Sequence, residues 1–192
     1  MKILMVSDSS NQTSLGKNLE EALLKTLKEN NYDLKHYNVS NVEMKKCIGC
    51  FNCWVKTPGL CIFDDITRDI ADADVNSDLY IILNEVKYGG YSSKIKKVLD
   101  RSICKILPFF KEVNGETHHA PRYDKYPDLF FIGYGDNITQ KEEQDFKNLN
   151  QANAINFQVE KAETQICRQQ EQVEASVLMV LDHIKKIGGE VK

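Results

Sequence analysis

The stretch Leu79-Tyr-Ile-Ile-Leu83 is an unbroken apolar run in the middle of the chain. A strand that is covered on both faces, as in a parallel sheet, carries such a run instead of alternating apolar and polar residues. Leu129-Phe-Phe-Ile132 repeats the pattern. The two runs therefore predict two central strands of a parallel α/β sheet.

Around these two runs, apolar periodicity and turn residues predict three more strands and five helices. The further strands are Lys2 to Ser7, Tyr32 to Val39 and Ile155 to Val159. The first helix carries Leu15, Leu19, Leu23 and Leu27, and the second runs from Asp64-Asp65 to about Asp74. The third starts at Ser92 or Ser93 and includes Ile106, and the fourth follows a capping box at Thr139-Gln-Lys-Glu142. The fifth runs from Val173 to Gly188-Gly189.

Because strands and helices alternate and no internal repeat or linker is evident, we expect one doubly wound α/β domain over residues 1–192. Ligands of such sheets bind beyond the carboxyl ends of the strands. Three loops should lie at this edge, namely Ser7 to Ser14, Asn84 to Ser92, and Gly133 to Asn137. We expect the cysteine-rich segment 43–63 beside them on the same edge.

Composition limits the class of protein. The chain has 192 residues, of which 42% are hydrophobic, and a net charge of −3 without a basic run. This balance argues against nucleic acid or an anionic membrane as the main partner. The apolar opening is too short for a secretory signal or a membrane helix, so we expect a cytoplasmic protein. In that compartment the six cysteines are metal ligands or redox groups rather than disulfides.

Four of the six cysteines, Cys47, Cys50, Cys53 and Cys61, lie within fifteen positions. Their spacing lets three sulfurs converge from one turn, and the Pro58-Gly59 reversal brings back the fourth. An iron-sulfur cubane or a tetrahedral metal needs such convergence. The alternative is a set of partly buried, protonated thiols in a substrate-facing loop.

The first two loops offer different chemistry. Ser7 to Ser14 has no nucleotide-binding glycine motif, but its hydroxyls precede a helix and could hold a monophosphate through hydrogen bonds and the helix dipole. A solvated, helix-capping loop is the alternative. In the second loop, Tyr88 and Tyr91 flank Gly89-Gly90, which provides an aromatic face and a close backbone approach for a flat ring. A glycine-rich connector with surface tyrosines is the alternative there.

Three motifs together resemble the NADPH-dependent FMN reductase family of flavodoxin-like proteins, especially its iron-sulfur flavoprotein branch. They are the hydroxyl-rich first loop, the four spaced cysteines followed by Asp64-Asp65, and Tyr88-Gly-Gly-Tyr91-Ser-Ser-Lys-Ile-Lys96-x3-Asp100-Arg101. The resemblance implies a flavodoxin-like sheet of five parallel strands, bound FMN and a homodimer or homotetramer. For the branch, it implies a [4Fe-4S] cluster on Cys47, Cys50, Cys53 and Cys61.

Matched by position, the resemblance also implies a set of cofactor-binding residues. Ser9, Asn11, Thr13 and Ser14 would meet the FMN phosphate; Tyr88, Gly89, Gly90 and Ser92 would border the isoalloxazine; and Gly133, Tyr134, Gly135 and Asp136 would line its other side.

The chain departs from the family pattern at two places. Ser7-Asp8-Ser9-Ser10 stands where the family has Gly-Ser-Pro-Arg, so a small residue and a cation are replaced and Asp8 adds a carboxylate near the presumed phosphate. Glu85 stands where a proline commonly starts the flavin loop.

Residues 108–127 form a long connector before the fourth strand, and connectors of this length are often functional. Because Phe109, Phe110, Tyr123 and Tyr126 put aromatic area into it, we expect an oligomer contact there. His118 and His119 are candidates for a metal or proton-transfer site.

The leading hypothesis is an FMN-dependent oxidoreductase that takes electrons from NAD(P)H or ferredoxin and passes them to a small-molecule acceptor. No side chain is assigned as an acid or base, because hydride transfer at the flavin N5 needs none. The alternative is a non-enzymatic module on the same fold, with the four cysteines binding zinc for folding or for partner docking.

Overall fold

The computed structural model describes residues 1–9, 13–113, 115–159 and 161–191. In these ranges the main sheet has five parallel strands in the order β2-β1-β3-β6-β7, which confirms the predicted doubly wound α/β architecture. Its strands are β1 (Lys2–Ser7), β2 (Asp33–Asn38), β3 (Leu79–Glu85), β6 (Asp128–Tyr134) and β7 (Ala162–Cys167). A separate antiparallel pair is formed by β4 (Ile106–Val113) and β5 (Glu116–Pro121).

Helices cover both faces of the sheet. They are α1 (Ser14–Glu29), α2 (Asn52–Val55), α3 (Ile66–Val75), α4 (Ser93–Arg101), α5 (Gln140–Asn156) and α6 (Val173–Lys186). One buried cluster packs α1 and α6 against the sheet, and a second packs α3, α4 and α5 against the opposite face. Among the described residues, no helix is both long and apolar enough to cross a membrane.

The two apolar runs become the central strands, as predicted. Every side chain from Leu79 to Leu83 and from Leu129 to Ile132 is at least 98% buried. The predicted starts of two helices are also confirmed. Asp65 caps α3 by accepting a hydrogen bond from the Thr67 N–H, and Thr139 and Glu142 form the capping box of α5.

The prediction of a fifth strand over Ile155 to Val159 is wrong. Ile155 lies in the last turn of α5, and the Val159 N–H donates to Ala154 O, which closes that helix end. The fifth strand is β7, at the edge of the sheet. Its sequence Ala-Glu-Thr-Gln-Ile-Cys is mostly polar because an edge strand needs no continuous apolar run.

The connector between α4 and β6 is also more regular than expected. Helix α4 ends at Arg101, and Ser102–Lys105 is a short 3-10 turn, so Ile106 opens a strand instead of continuing the helix. Residues 108–127 contain most of the β4–β5 hairpin. The residues of its strands are partly or fully exposed and its register is interrupted, so the sequence shows little apolar periodicity there.

Candidate functional site

The carboxyl ends of β1 and β3 meet at one edge of the sheet. β1 pairs with β2 on one side and β3 with β6 on the other, so this edge is where the strand order reverses direction. The Asn84 side chain organises the loop after β3, because its Oδ1 accepts from the Ser92 N–H at 2.9 Å and its Nδ2 donates to Glu85 O at 2.9 Å. The predicted first and second loops therefore lie together at the switch point.

A tight turn presents Tyr88 at this edge. Lys87 and Gly90 exchange backbone hydrogen bonds, and the two residues between them, Tyr88 and Gly89, have φ of 51° and 73°. Two positive φ angles define a type I′ turn. Tyr88 is 95% exposed, whereas Gly89 is buried against α5, where a Cβ atom would come within 2.9 Å of Asp145 Cβ. Glycine is therefore required at position 89, and Tyr88 offers a free aromatic face.

Asp8 lies buried between the two loops. Its Oδ1 accepts from the Glu85 N–H at 2.9 Å and from the Tyr134 hydroxyl at 3.2 Å. Burial raises the pKa of Asp8 above the ordinary carboxyl range, although hydrogen bonds from Ser92, Glu85 and Tyr134 offset part of this effect. Asp8 thus faces neighbouring loops and holds its proton more readily than an exposed carboxyl group.

The third predicted loop is buried at its start. A Cβ atom on Gly133 would meet Ile166, Val86 and Phe146 within 2.9 Å, and Tyr134 is fully buried. The Tyr134 hydroxyl reaches Asp8 at the edge. Gly135 is half-buried and Asp136 is exposed beyond the strand end.

The first loop is described in part. Ser9 is buried, Thr13 precedes α1 with a buried Oγ1 beside the Tyr134 hydroxyl, and Ser14 is exposed as the first residue of α1. Asn11 lies outside the described residues. The positive end of the α1 dipole and the Thr13 hydroxyl can therefore both serve an anion at this loop.

Beneath the first loop lies a polar cluster that the sequence analysis missed. Glu20, on α1, accepts hydrogen bonds from the Ser7 and Ser9 hydroxyls and from Asn38 Nδ2 at 2.9 and 3.0 Å. His36 Nε2 is 2.8 Å from Glu20 Oε1. The available signal was Glu20 itself, one turn after the buried Gly16 on the side of α1 that meets the strand ends.

The four loop cysteines line one small pocket of about 30 Å³ together with Arg101 and apolar side chains. Cys53 is buried and Cys50 is exposed. Burial raises the pKa of Cys53, and the neighbouring Cys61, Cys47 and Cys50 raise it further. Cys104 lies close by, and burial raises its pKa to about 11. These thiols therefore lie near one another, and burial favours the protonated form of Cys53 and Cys104.

The geometry of a metal centre is not formed. Over the ranges that the structure describes, no three His, Cys, Asp or Glu side chains stand where they could together hold a metal ion. The predicted histidine pair is split as well. His118 lies 3.3 Å from Glu116 Oε2, while the His119 ring packs 4.9 Å from the Trp54 ring.

The sequence analysis predicted that the cysteine loop lies on the carboxyl edge, and this prediction is wrong. Lys94, in the first turn of α4, donates to Val42 O at 2.7 Å, and Arg101, its last residue, donates to Lys45 O at 3.1 Å. The chain therefore runs along α4, which is about 13 Å long. Cys47 follows at the end of α4 that is farther from Asn84 and Ser92.

Arg101 fixes both ends of this loop. Its guanidinium donates to Lys45 O before the cysteines and, after them, to Phe63 O at 2.8 Å and Asp65 Oδ2 at 2.7 Å. The Arg101 side chain is almost fully buried. A buried charge with several partners is costly to disrupt, so this contact holds the loop closed.

The fold and this edge define a doubly wound α/β protein of the flavodoxin-like class. The chain belongs to the NADPH-dependent FMN reductase family, whose model matches residues 1–122. An FMN-dependent NADH-azoreductase from Bacillus anthracis, solved in complex with FMN, has a TM-score of 0.65 with 13% identity over 98% of this chain and 100% of that one. At this identity the likeness concerns the fold.

Two curated relatives are similar in sequence. An iron-sulfur flavoprotein of Methanocaldococcus jannaschii is 28% identical over 102 residues, which are 53% of this chain and 52% of the relative. One of Methanosarcina thermophila is 29% identical over 106 residues, 54% of this chain and 53% of the relative. The chain thus spans about half the length of the curated relatives it matches.

Replacing the Arg101 guanidinium should loosen the cysteine loop. In Arg101→Met, Asp65 and two carbonyl oxygens lose the hydrogen bonds from the guanidinium. Alkylation of a buried thiol proceeds through local opening, so a decrease of about 1.4 kcal/mol in the free energy of opening makes alkylation about tenfold faster. We expect alkylation of the buried Cys53 by iodoacetamide, followed residue by residue with mass spectrometry, to accelerate by at least this factor. Lys96→Met, which removes an exposed cation from the same helix, is the control, and equal Cys53 rates in the two variants would contradict the assignment.

Proposed function

We propose that this protein is a cytoplasmic FMN-dependent oxidoreductase that passes electrons from a reduced nicotinamide or ferredoxin donor to a small-molecule acceptor. The observation that carries the proposal is the switch-point edge, where the start of α1 and the Tyr88 turn converge from separate loops. Membership of the NADPH-dependent FMN reductase family supports it. The proposal extends to the whole chain an activity that the family name describes.

The residues at this edge suit the two ends of FMN. The Thr13 hydroxyl is buried beside the Tyr134 hydroxyl, and with Ser14 and the first N–H groups of α1 it would hold the phosphate. Tyr88 would lie along the isoalloxazine, with Gly90 allowing close backbone approach. The Ser92 hydroxyl accepts from the Ile95 N–H and donates to Asp8, so its role would be to hold the second loop against the first.

When bound, the flavin supplies the hydride and electron transfer, and the protein binds and orients it. The side chains at the edge would fix the phosphate at one end and leave one face of the ring open beside Tyr88. Asp8 would hold the first and second loops together through the Glu85 N–H and the Ser92 hydroxyl. None of the described side chains is assigned to proton transfer with the acceptor.

The comparisons do not favour the non-enzymatic alternative, since the family is one of FMN reductases and the solved relative is an FMN-dependent azoreductase. The colour of the purified protein separates the two. A yellow protein that oxidises NADH or NADPH in the presence of a quinone supports the proposal, and a colourless one with stoichiometric zinc supports the alternative.

The phosphate end can be tested with Thr13→Ala combined with Ser14→Ala. We expect the dissociation constant of FMN, measured by fluorescence quenching, to rise about tenfold or more because charge-assisted hydrogen bonds are lost. Riboflavin, which lacks the phosphate, should bind unchanged. Ser93→Ala, at the exposed start of α4, is the matched control. Unchanged FMN affinity in the double variant would show that the phosphate lies elsewhere.

The second part of the proposal is a [4Fe-4S] cluster on Cys47, Cys50, Cys53 and Cys61. Its support is that these side chains line one pocket and that two relatives are named iron-sulfur flavoproteins. Since the thiols are not arranged as a ligand set, the loop would have to close around the cluster and the thiols would have to lose their protons. Opening the Arg101 contacts is the direct route to such a rearrangement.

Anaerobic reconstitution followed by iron and sulfide analysis and electron paramagnetic resonance tests the cluster. We expect about four iron and four sulfide per chain in the wild type, and incomplete or unstable loading in Cys53→Ser. Cys167→Ser, which removes a buried thiol of β7 outside the pocket, should load like the wild type. A wild-type protein without iron after reconstitution would leave only the thiol-lined pocket.

The third part of the proposal is a homodimer or homotetramer formed through the β4–β5 hairpin. Phe109 and Phe110 on β4 are each 68% exposed. A row of rings, hereafter the aromatic row, continues from Phe110 to His119, Trp54 and Phe51 with centroid separations of 4.7, 4.9 and 5.1 Å. An exposed aromatic surface of this kind is typical of protein interfaces.

Phe109→Ser combined with Phe110→Ser should lower the oligomeric mass measured by light scattering, because it removes the apolar part of this contact. Both side chains are exposed, so folding should survive. Leu178→Ser removes an equally exposed apolar residue from α6 and serves as the control. A double variant that keeps the wild-type mass would place the interface elsewhere.

A further inference from the structure

The carboxylate beneath the first loop bears on which flavin the site selects. Glu20 collects hydrogen bonds from Ser7 and Ser9 at the end of β1 and from Asn38 at the end of β2. Asn38 Nδ2 also donates to Ser9 O at 3.2 Å. One carboxylate therefore ties the start of the first loop to two strands and to α1.

These contacts change what Ser9 can offer a ligand. A serine hydroxyl has one proton, and Ser9 donates it to Glu20. The Ser9 hydroxyl can then accept a hydrogen bond but has none to give to a phosphate oxygen, which is an acceptor only. The phosphate contact that the family resemblance implies for Ser9 is thus replaced by a contact with an anion.

The charge of this anion is fixed. Burial by itself raises the pKa of Glu20, but hydrogen bonds from His36, Ser7 and Ser9 outweigh burial and lower it to about 2. The sequence from Ile3 to Gly16 contains no Lys or Arg to balance the charge. Lys17 is exposed and lies 3.8 Å from Glu21 Oε1. Protonated His36, whose Nε2 lies 2.8 Å from Glu20 Oε1, would pair with this carboxylate, but the loop itself supplies no Lys or Arg. A phosphate at this loop therefore meets a carboxylate and no cation from the loop.

We infer that Glu20 is a specificity-determining residue that offsets phosphate binding, so that the site accepts the uncharged flavin riboflavin nearly as well as FMN. The inference rests on the proposed function. The start of α1 and the Thr13 hydroxyl attract the phosphate, while the Glu20 carboxylate behind Ser9 repels it. Riboflavin carries no phosphate, so it experiences neither effect.

The test compares Glu20→Gln with wild type in the binding of riboflavin and FMN, both measured by fluorescence quenching at the same pH. Glutamine keeps the shape and can still hydrogen-bond the serine hydroxyls. We expect FMN to bind about tenfold more tightly in the variant and riboflavin to bind within about twofold of wild type. Glu21→Gln removes the same charge from the exposed side of α1 and should change neither constant.

The ratio of the two dissociation constants separates charge from structure, because a merely structural defect weakens both flavins together. Equal changes for FMN and riboflavin, or weaker FMN binding in Glu20→Gln, would overturn the inference and leave the proposed function intact.

Ser9→Ala provides a second measurement. It keeps the Glu20 charge, so it should not tighten FMN binding, and tightening there would also overturn the inference. A wild type that binds neither flavin would overturn the proposed function and this inference with it.

Discussion

The parallel pairing of β1 with β3 is the constraint on which the rest of the molecule depends. Their register runs from Ile3 opposite Leu79 to Ser7 opposite Leu83, and the Asp8 N–H extends it to Leu83 O at 3.2 Å. From these strands the chain leaves for opposite faces, through α1 on one side and α4 on the other. The two loops therefore separate above the strand ends and leave the edge open to a ligand.

This edge contains two carboxyl groups whose environments act in opposite directions. At Asp8 desolvation outweighs the hydrogen bonds from Ser92, Glu85 and Tyr134, so its pKa rises, whereas at Glu20 the hydrogen bonds outweigh desolvation and the pKa falls. The same residue chemistry thus gives a carboxyl group with a raised pKa beside β3 and one with a lowered pKa beneath the first loop.

The cysteine loop and the β4–β5 hairpin form a second region, at the far end of α4. Trp54 joins them, because its Nε1 donates to Ile103 O at 3.1 Å and to Ile106 O at 2.9 Å while its ring lies between Phe51 and His119. The thiol pocket and the exposed aromatic row are therefore parts of one surface. A change in the loop, such as closing around a metal, would be transmitted directly to the proposed oligomer contact.

The sequence by itself determined four of the five strands and the helices that cover the sheet. A strand buried on both faces shows a continuous apolar run, and a helix buried on one face shows helical periodicity. The sequence also placed the first two loops at the carboxyl edge and predicted the helix start at Asp64-Asp65 and the capping box at Thr139. β7 was missed because edge strands need no apolar run, and the hairpin because its strands are largely exposed. Only the tertiary structure decided that Glu20 lies beneath Ser9 and that Arg101 places the cysteine loop at the far end of α4. These are contacts between residues distant in the chain, where a polar side chain finds its partners only after the helices have packed on the sheet.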